Sequence, residues 1–213
     1  MSEGSAWAPF RNKAFRGLWL AAAVVNMAIW MQTVAAAWIM TTLTTSAAMV
    51  SLVQTAVTLP VFLFAFPGGV IADRVDRRSW LIITQCMMLF AALVLCVLAY
   101  SAHLETWGLL AFTFLLGTGS ALGMSAWMVT MVGVLPRDQV PAAVSLNGIS
   151  INATRALGPA LAGALIAYWN TTSVFLVIGL CMFAVLLFLF RLMPNPPAVG
   201  LPPETLTGGM RSG

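Results

Sequence analysis

The chain has 213 residues, of which 61% are hydrophobic and only 8% charged, and its mean hydropathy is +0.95. Soluble domains carry about 25% charged residues, so this chain lacks the polar surface to stay in water and its solvent is largely lipid. The net charge of +4 comes without a basic patch interleaved with aromatics, which argues against a nucleic-acid partner. Cys86, Cys96 and Cys181 lie in apolar runs and His103 is the sole histidine. A zinc or haem site has almost no ligands to draw on, and no metal or cofactor is expected.

A hydrocarbon core about 30 Å thick takes roughly 20 apolar residues to cross as a helix. Runs of that length predict six helical spans, near residues 17–38, 49–71, 79–100, 107–132, 143–168 and 173–192. Runs this long mean helices, since only helices or closed barrels satisfy their backbone groups in lipid. The predicted fold is an all-α integral membrane bundle of six transmembrane helices. Residues 1–16 form a cytoplasmic N-terminal segment, and the Pro- and Gly-rich stretch 193–213 reads as a flexible cytoplasmic tail.

Span one follows Arg11, Lys13 and Arg16, but it is too long for the apolar core of a signal peptide, about 7–15 residues. Nine of the ten Lys and Arg residues fall on one side of the six spans. The positive-inside rule makes that side cytoplasmic, with both termini on it, in a cell inner or plasma membrane. The tenth is Arg155. Within span one, Asn26, Trp30, Thr33 and Ala37 share a helical face; in span two, Ser51, Thr55 and Thr58 do, with Gln54 beside it. Spans three and six are nearly bare of polar side chains, so they suit lipid over most of their circumference.

Between spans two and three, Asp73, Arg74, Asp76, Arg77 and Arg78 fall within six positions. Asp73 ends a helix whose dipole already concentrates negative charge there, so it needs a cation such as Arg74 or Arg77. Asp76 is placed to cap span three. Charges paired beside two helix ends can exchange partners, as a gate between two conformations requires. In span four, Gly119 and Gly123 have the spacing that lets helix backbones approach closely.

Span five carries the sharpest signal. Arg155 lies about 14 residues in, roughly 21 Å from its start, with no Asp or Glu inside any span to pair with it. Three arrangements remain open: a watery cavity, bonds to Asn152 or backbone carbonyls, or an anionic ligand. One turn later, Pro159 removes the N–H that the Arg155 carbonyl would accept, which predicts a bend, and Gly158 and Gly163 allow a close neighbour.

Gly69-x-x-x-Asp73-Arg74-x-x-Arg77-Arg78 resembles the loop signature called motif A of the major facilitator superfamily of secondary transporters. Gly158-Pro159-x-x-x-Gly163 resembles its antiporter motif C. The stretches FRNKAFRGLWL, NMAIWMQTVAAAW, LPRDQVPAAVSLN and NATRALGPALAGALI are similar to the branch containing the enterobactin exporter and drug-efflux proteins. The resemblance implies two inverted three-helix repeats making one half of a two-half carrier around a central site. It also implies gating by Gly69, Asp73, Arg74, Asp76, Arg77 and Arg78, and usually proton antiport. Asn26, Trp30, Gln54, Asn152 and Arg155 are the cavity candidates; Gly158, Pro159 and Gly163 are the bend and packing positions. Thr113 stands where many drug antiporters place a buried Arg.

The expected function is efflux of a small amphipathic compound, drug or siderophore-like, by alternating access. The chain matches one half of such a carrier, which leads us to expect a truncated gene or a pairing with a separate C-terminal six-helix half. The alternative is a membrane protein that binds or assists without transporting, or an inactive fragment. An enzyme is not expected, because no nucleophile–base pair, metal cluster or intramembrane acid dyad is available.

Overall fold

The computed structural model describes residues 6–191, without the side chains of 70 and 72–74. Six helices follow a short 3-10 turn at Ala8–Arg11: α1 (Lys13–Leu43), α2 (Ala47–Arg74), α3 (Arg77–Tyr100), α4 (Thr106–Gly133), α5 (Val140–Tyr168) and α6 (Thr171–Arg191). The six helices are long and apolar enough to cross a membrane, and no strand is present among the described residues. The expected tail 193–213 lies outside the described residues.

Helix ends run past the apolar cores, and capping explains where. The Asn12 carboxamide oxygen accepts from the N–H groups of Ala14 (2.8 Å) and Phe15 (3.3 Å), so α1 starts four residues before the apolar run. Its Nδ2 donates to the Val134 carbonyl at 2.8 Å, which ties the start of α1 to the α4–α5 connection. Asn170 opens α6 in the same way, accepting from the Ser173 N–H at 2.9 Å. The backbone of α2 continues to Arg74, so only Val75 and Asp76 separate it from α3.

The helices pair across the two halves of the bundle. α2 packs on α4 and α5 packs on α1; α3 packs on α4 and α6 on α1; α3 and α6 meet each other. Exchanging α1–α3 with α4–α6 maps this pattern onto itself, the relation expected of two three-helix repeats.

Small residues set the separations. A Cβ at Gly119 would lie 2.5 Å from Met88 Cγ and 3.1 Å from the Thr84 carbonyl oxygen, and one at Gly123 would lie 3.2 Å from Thr84 Oγ1. The Gly119-x-x-x-Gly123 pair thus seats α4 on α3. A Cβ at Gly117 would lie 3.0 Å from the Pro60 ring and 3.1 Å from the Val57 carbonyl oxygen, which seats α2.

Burial does not follow polarity in the simplest way. Within the most apolar stretches of α1, α3, α4 and α6, 39–44% of residues are buried, against 17% in α2 and 22% in α5. The bare helices α3 and α6 pack against each other and their neighbours. The polar-faced α2 and α5 are the open ones, with Ser51, Gln54, Thr55 and Thr58 on one and Ser145, Asn152 and Arg155 on the other exposed. Gly119→Val will force α3 and α4 apart, at a cost of about 1–3 kcal/mol; a lower midpoint of thermal unfolding in detergent checks this.

Candidate functional site

The midpoint of the bundle is organised by the contact of α5 with α1. A Cβ on Gly158 would sit 2.5 Å from the Trp30 Cβ and 3.3 Å from the Met27 carbonyl oxygen, so only glycine permits this approach. Three residues earlier, the Arg155 guanidinium carbon lies 5.3 Å from the centroid of the Trp30 ring. A cation held over an indole face is a stabilising arrangement, worth about 0.5–1 kcal/mol at an exposed site. Arg155 itself is exposed. Asn152 does not hold it: the Asn152 Nδ2 donates to the Gly148 carbonyl of its own helix at 2.9 Å. α5 runs through Pro159 as one helix. Gly163 has nothing within 4 Å of where a Cβ would stand, so of the two motif glycines Gly158 does the packing.

A second feature lies nearer the terminal end of the bundle, where α1 starts and α6 ends. Between α1, α3, α4 and α5 is a chamber of about 400 Å³. Asn26 lines it; Trp30, Gln54, Asn152 and Arg155 do not. Its wall includes Asn147, Gln85, Ser120 and Trp127, with Met88, Met124, Met128 and Met131. Sequence reasoning missed Asn147. The available signal was the spacing of Asn147, Ser150 and Thr154, all buried, which forms a polar stripe on α5 beside the Asn152–Arg155 face. Gln85 was also missed, since α3 reads as uniformly apolar; its Nε2 donates to the Met182 carbonyl on α6 at 3.3 Å.

Further from the terminal end, Gln32 and Thr113 meet between α1 and α4, with Nε2 donating to the threonine hydroxyl oxygen at 3.2 Å. A small cavity of about 20 Å³ adjoins them, room for about one water. The position that resembles a buried arginine site in drug antiporters therefore holds a neutral hydrogen-bonded pair.

The charged connection between α2 and α3 is anchored to its own bundle. A Cβ at Gly68 would lie 3.0 Å from the Leu122 Cα, while one at Gly69 would be 4.0 Å from Ser125 Oγ, so the tight contact falls on Gly68. The Trp80 indole N–H donates to the carbonyl of the same Leu122 at 2.9 Å. Asp76 caps α3, accepting from the Ser79 N–H at 2.8 Å and the Ser79 hydroxyl at 2.7 Å. These Ser79 hydrogen bonds hold its carboxyl below the usual carboxylate range. Arg78 reaches the last turn of α6, its Nε donating to the Leu189 carbonyl at 3.2 Å and an Nη to that of Phe190 at 2.7 Å. A cation on C-terminal carbonyls also meets the negative end of the helix dipole. Arg77 is exposed. The side chains of Asp73 and Arg74 lie outside those described.

Six spanning helices paired as two repeats, a polar open side and an anchored charged loop are the features of a six-helix half of the major-facilitator-type fold. Comparison with known families agrees: residues 4–213 match the transmembrane secretion effector family, and the chain belongs to it. It is similar to the staphyloferrin A transporter of Staphylococcus aureus, 28% identical over 162 residues, covering 75% of this chain and 41% of that protein. It is also similar to the uncharacterised MFS-type transporter YfiS of Bacillus subtilis, 30% identical over 140 residues, covering 65% of this chain and 32% of that one. The chain thus spans less than half the length of these relatives. Family and relatives point to transport and not to an enzyme.

Two outcomes follow from the anchored loop. Arg78→Ala will free the last carbonyls of α6 and cost about 1–2 kcal/mol, read as faster amide hydrogen exchange over residues 187–191. Because the folded-state pKa of Asp76 is depressed, its contribution to stability is full above the ordinary carboxylate pKa and is lost as pH falls through the lower folded value. Asp76→Asn keeps a cap without a titrating group, so the acid-side loss of thermal stability should be smaller in that variant. Asp76→Ala should cost about 1 kcal/mol at neutral pH.

Proposed function

We propose that this chain is the N-terminal half of an efflux carrier that exports a small amphipathic compound, drug or siderophore-like, by alternating access. The observation that carries it is the open side of α2 and α5 with Arg155 at mid-helix. Insertion scales put a guanidinium at the bilayer centre at about 2.5–3.5 kcal/mol, and the contact with Trp30 offsets only a fraction of that. Such a face is suited to an aqueous vestibule or a protein partner, and a lipid contact leaves the cost standing. The partner is a second six-helix half, encoded in the same chain or separately. The name of the staphyloferrin A transporter supports the siderophore-like part of the range.

In this reading the terminal end faces the cytoplasm of a bacterial inner or plasma membrane, as the distribution of Lys and Arg supports. Asp73, Arg74 and Arg77 latch that side against the partner half, while Arg78 holds α6.

The test is efflux of a fluorescent amphipathic dye from cells making this chain alone or together with a six-span C-terminal half of a family member. Export is expected only with both, and Arg155→Ala should lower it at least about tenfold, the effect of losing one well-placed charged contact. Undiminished export in Arg155→Ala, or none under any pairing while both halves reach the membrane, overturns the proposal. The latter result would favour a binding or accessory role.

A further inference from the structure

The chamber between α1, α3, α4 and α5 differs in chemistry from the Arg155 face. Among its lining residues there is no Asp, Glu, Lys, Arg or His. Its polar groups are amides and hydroxyls, and two carboxamides stand out. Asn147 is only 8% exposed, and neither it nor Asn26 has a hydrogen-bond partner among the described residues, although both line the same cavity. Asn26 is half-buried, and two carboxamides that line one cavity without a protein partner are free to bond a ligand or water there. Each carboxamide offers two N–H donors and a carbonyl acceptor.

The remaining wall is apolar and adaptable. Met88, Met124, Met128 and Met131 line the cavity with Trp127. Methionine thioethers are flexible, polarisable and favourable beside aromatic rings. The volume of about 400 Å³ falls within the range of small-molecule sites, about 300–1,000 Å³. Met124 and Ile151 are exposed and mark the mouth.

We propose that this chamber is a binding site, contained within one half of the carrier, for an uncharged aromatic molecule bearing a carbonyl or amide. Asn26 and Asn147 hold the polar group and the methionines with Trp127 hold the ring. An anion is excluded here because the chamber supplies no cation, which separates this site from the Arg155–Trp30 face. The inference deepens the efflux reading and rests on it for its role in transport, but binding itself is measurable alone.

The test uses the whole 213-residue chain in lipid nanodiscs with two photoreactive probes of matched shape, neutral 4-benzoylbenzamide and anionic 4-benzoylbenzoate. Crosslinks are located by mass spectrometry. The neutral probe should label Met124, Met128 or Met131, and the anion at least about tenfold less, the penalty for an unpaired charge in such a site. Asn147→Leu and Asn26→Leu should each lower labelling about fivefold, one neutral hydrogen bond's share. Thr41→Leu, exposed on α1 and outside the chamber, should leave it unchanged. Excess benzanilide, a neutral amide without the reactive ketone, should compete in the unaltered chain, which keeps the test valid if a variant fails to fold.

Equal labelling by the anion, no competition by benzanilide, or α4 labelling that survives both well-folded Asn variants would overturn the site. Labelling without dye export leaves the chamber standing and removes transport. Export without labelling does the reverse.

Discussion

The approach of α5 to α1 at Gly158 is the constraint on which the rest of the arrangement depends. With no side chain at that position the two backbones come within reach of each other beside Trp30. Arg155, one turn earlier, then lies over the indole face. The same helix contact turns Asn147 inward to the chamber while Asn152 and Arg155 stay exposed. A larger residue at 158 would disturb all three relations together, because a packed helix pair shifts as a unit.

Helix association in lipid draws little from the hydrophobic effect, since acyl chains are as apolar as leucine. The bundle relies on close packing at glycines and on polar links between helices. Gly119 and Gly123 seat α4 on α3, and Gly68 and Gly117 seat α2 on α4. Trp19 donates from its indole N–H to the Leu146 carbonyl on α5 at 3.1 Å, and Gln85 reaches α6. The buried Gln32–Thr113 pair joins α1 to α4. Each is a specific contact that a smooth apolar surface would not provide, so the pairing of helices is particular and not merely compact.

At the terminal end the polar residues serve mainly to fasten one element to another. Asn12 bridges α1 and the α4–α5 connection, Asp76 caps α3, Trp80 reaches Leu122, and Arg78 closes α6. The density of charge there therefore has a structural component within this half, beside any role in contact with a second half.

The amino-acid sequence alone determined the six helices and their membrane setting, because span length and apolarity are local properties that a window of about 20 residues contains. It also located the glycine spacing of α4, the cap at Asp76 and the isolated charge of Arg155. Which residues share a space was decided by the tertiary structure. Asn26 and Trp30 share one helical face in sequence, yet one lines the chamber and the other lies against Arg155. Gly158 and Gly163 look alike, yet only the first meets a neighbour. α3 reads as bare, yet it brings Gln85 to the chamber wall. Periodicity specifies a helix and its faces, but the crossing of another helix selects which short stretch of a face is covered, and that crossing joins residues far apart in the chain, as Trp30 and Gly158 are.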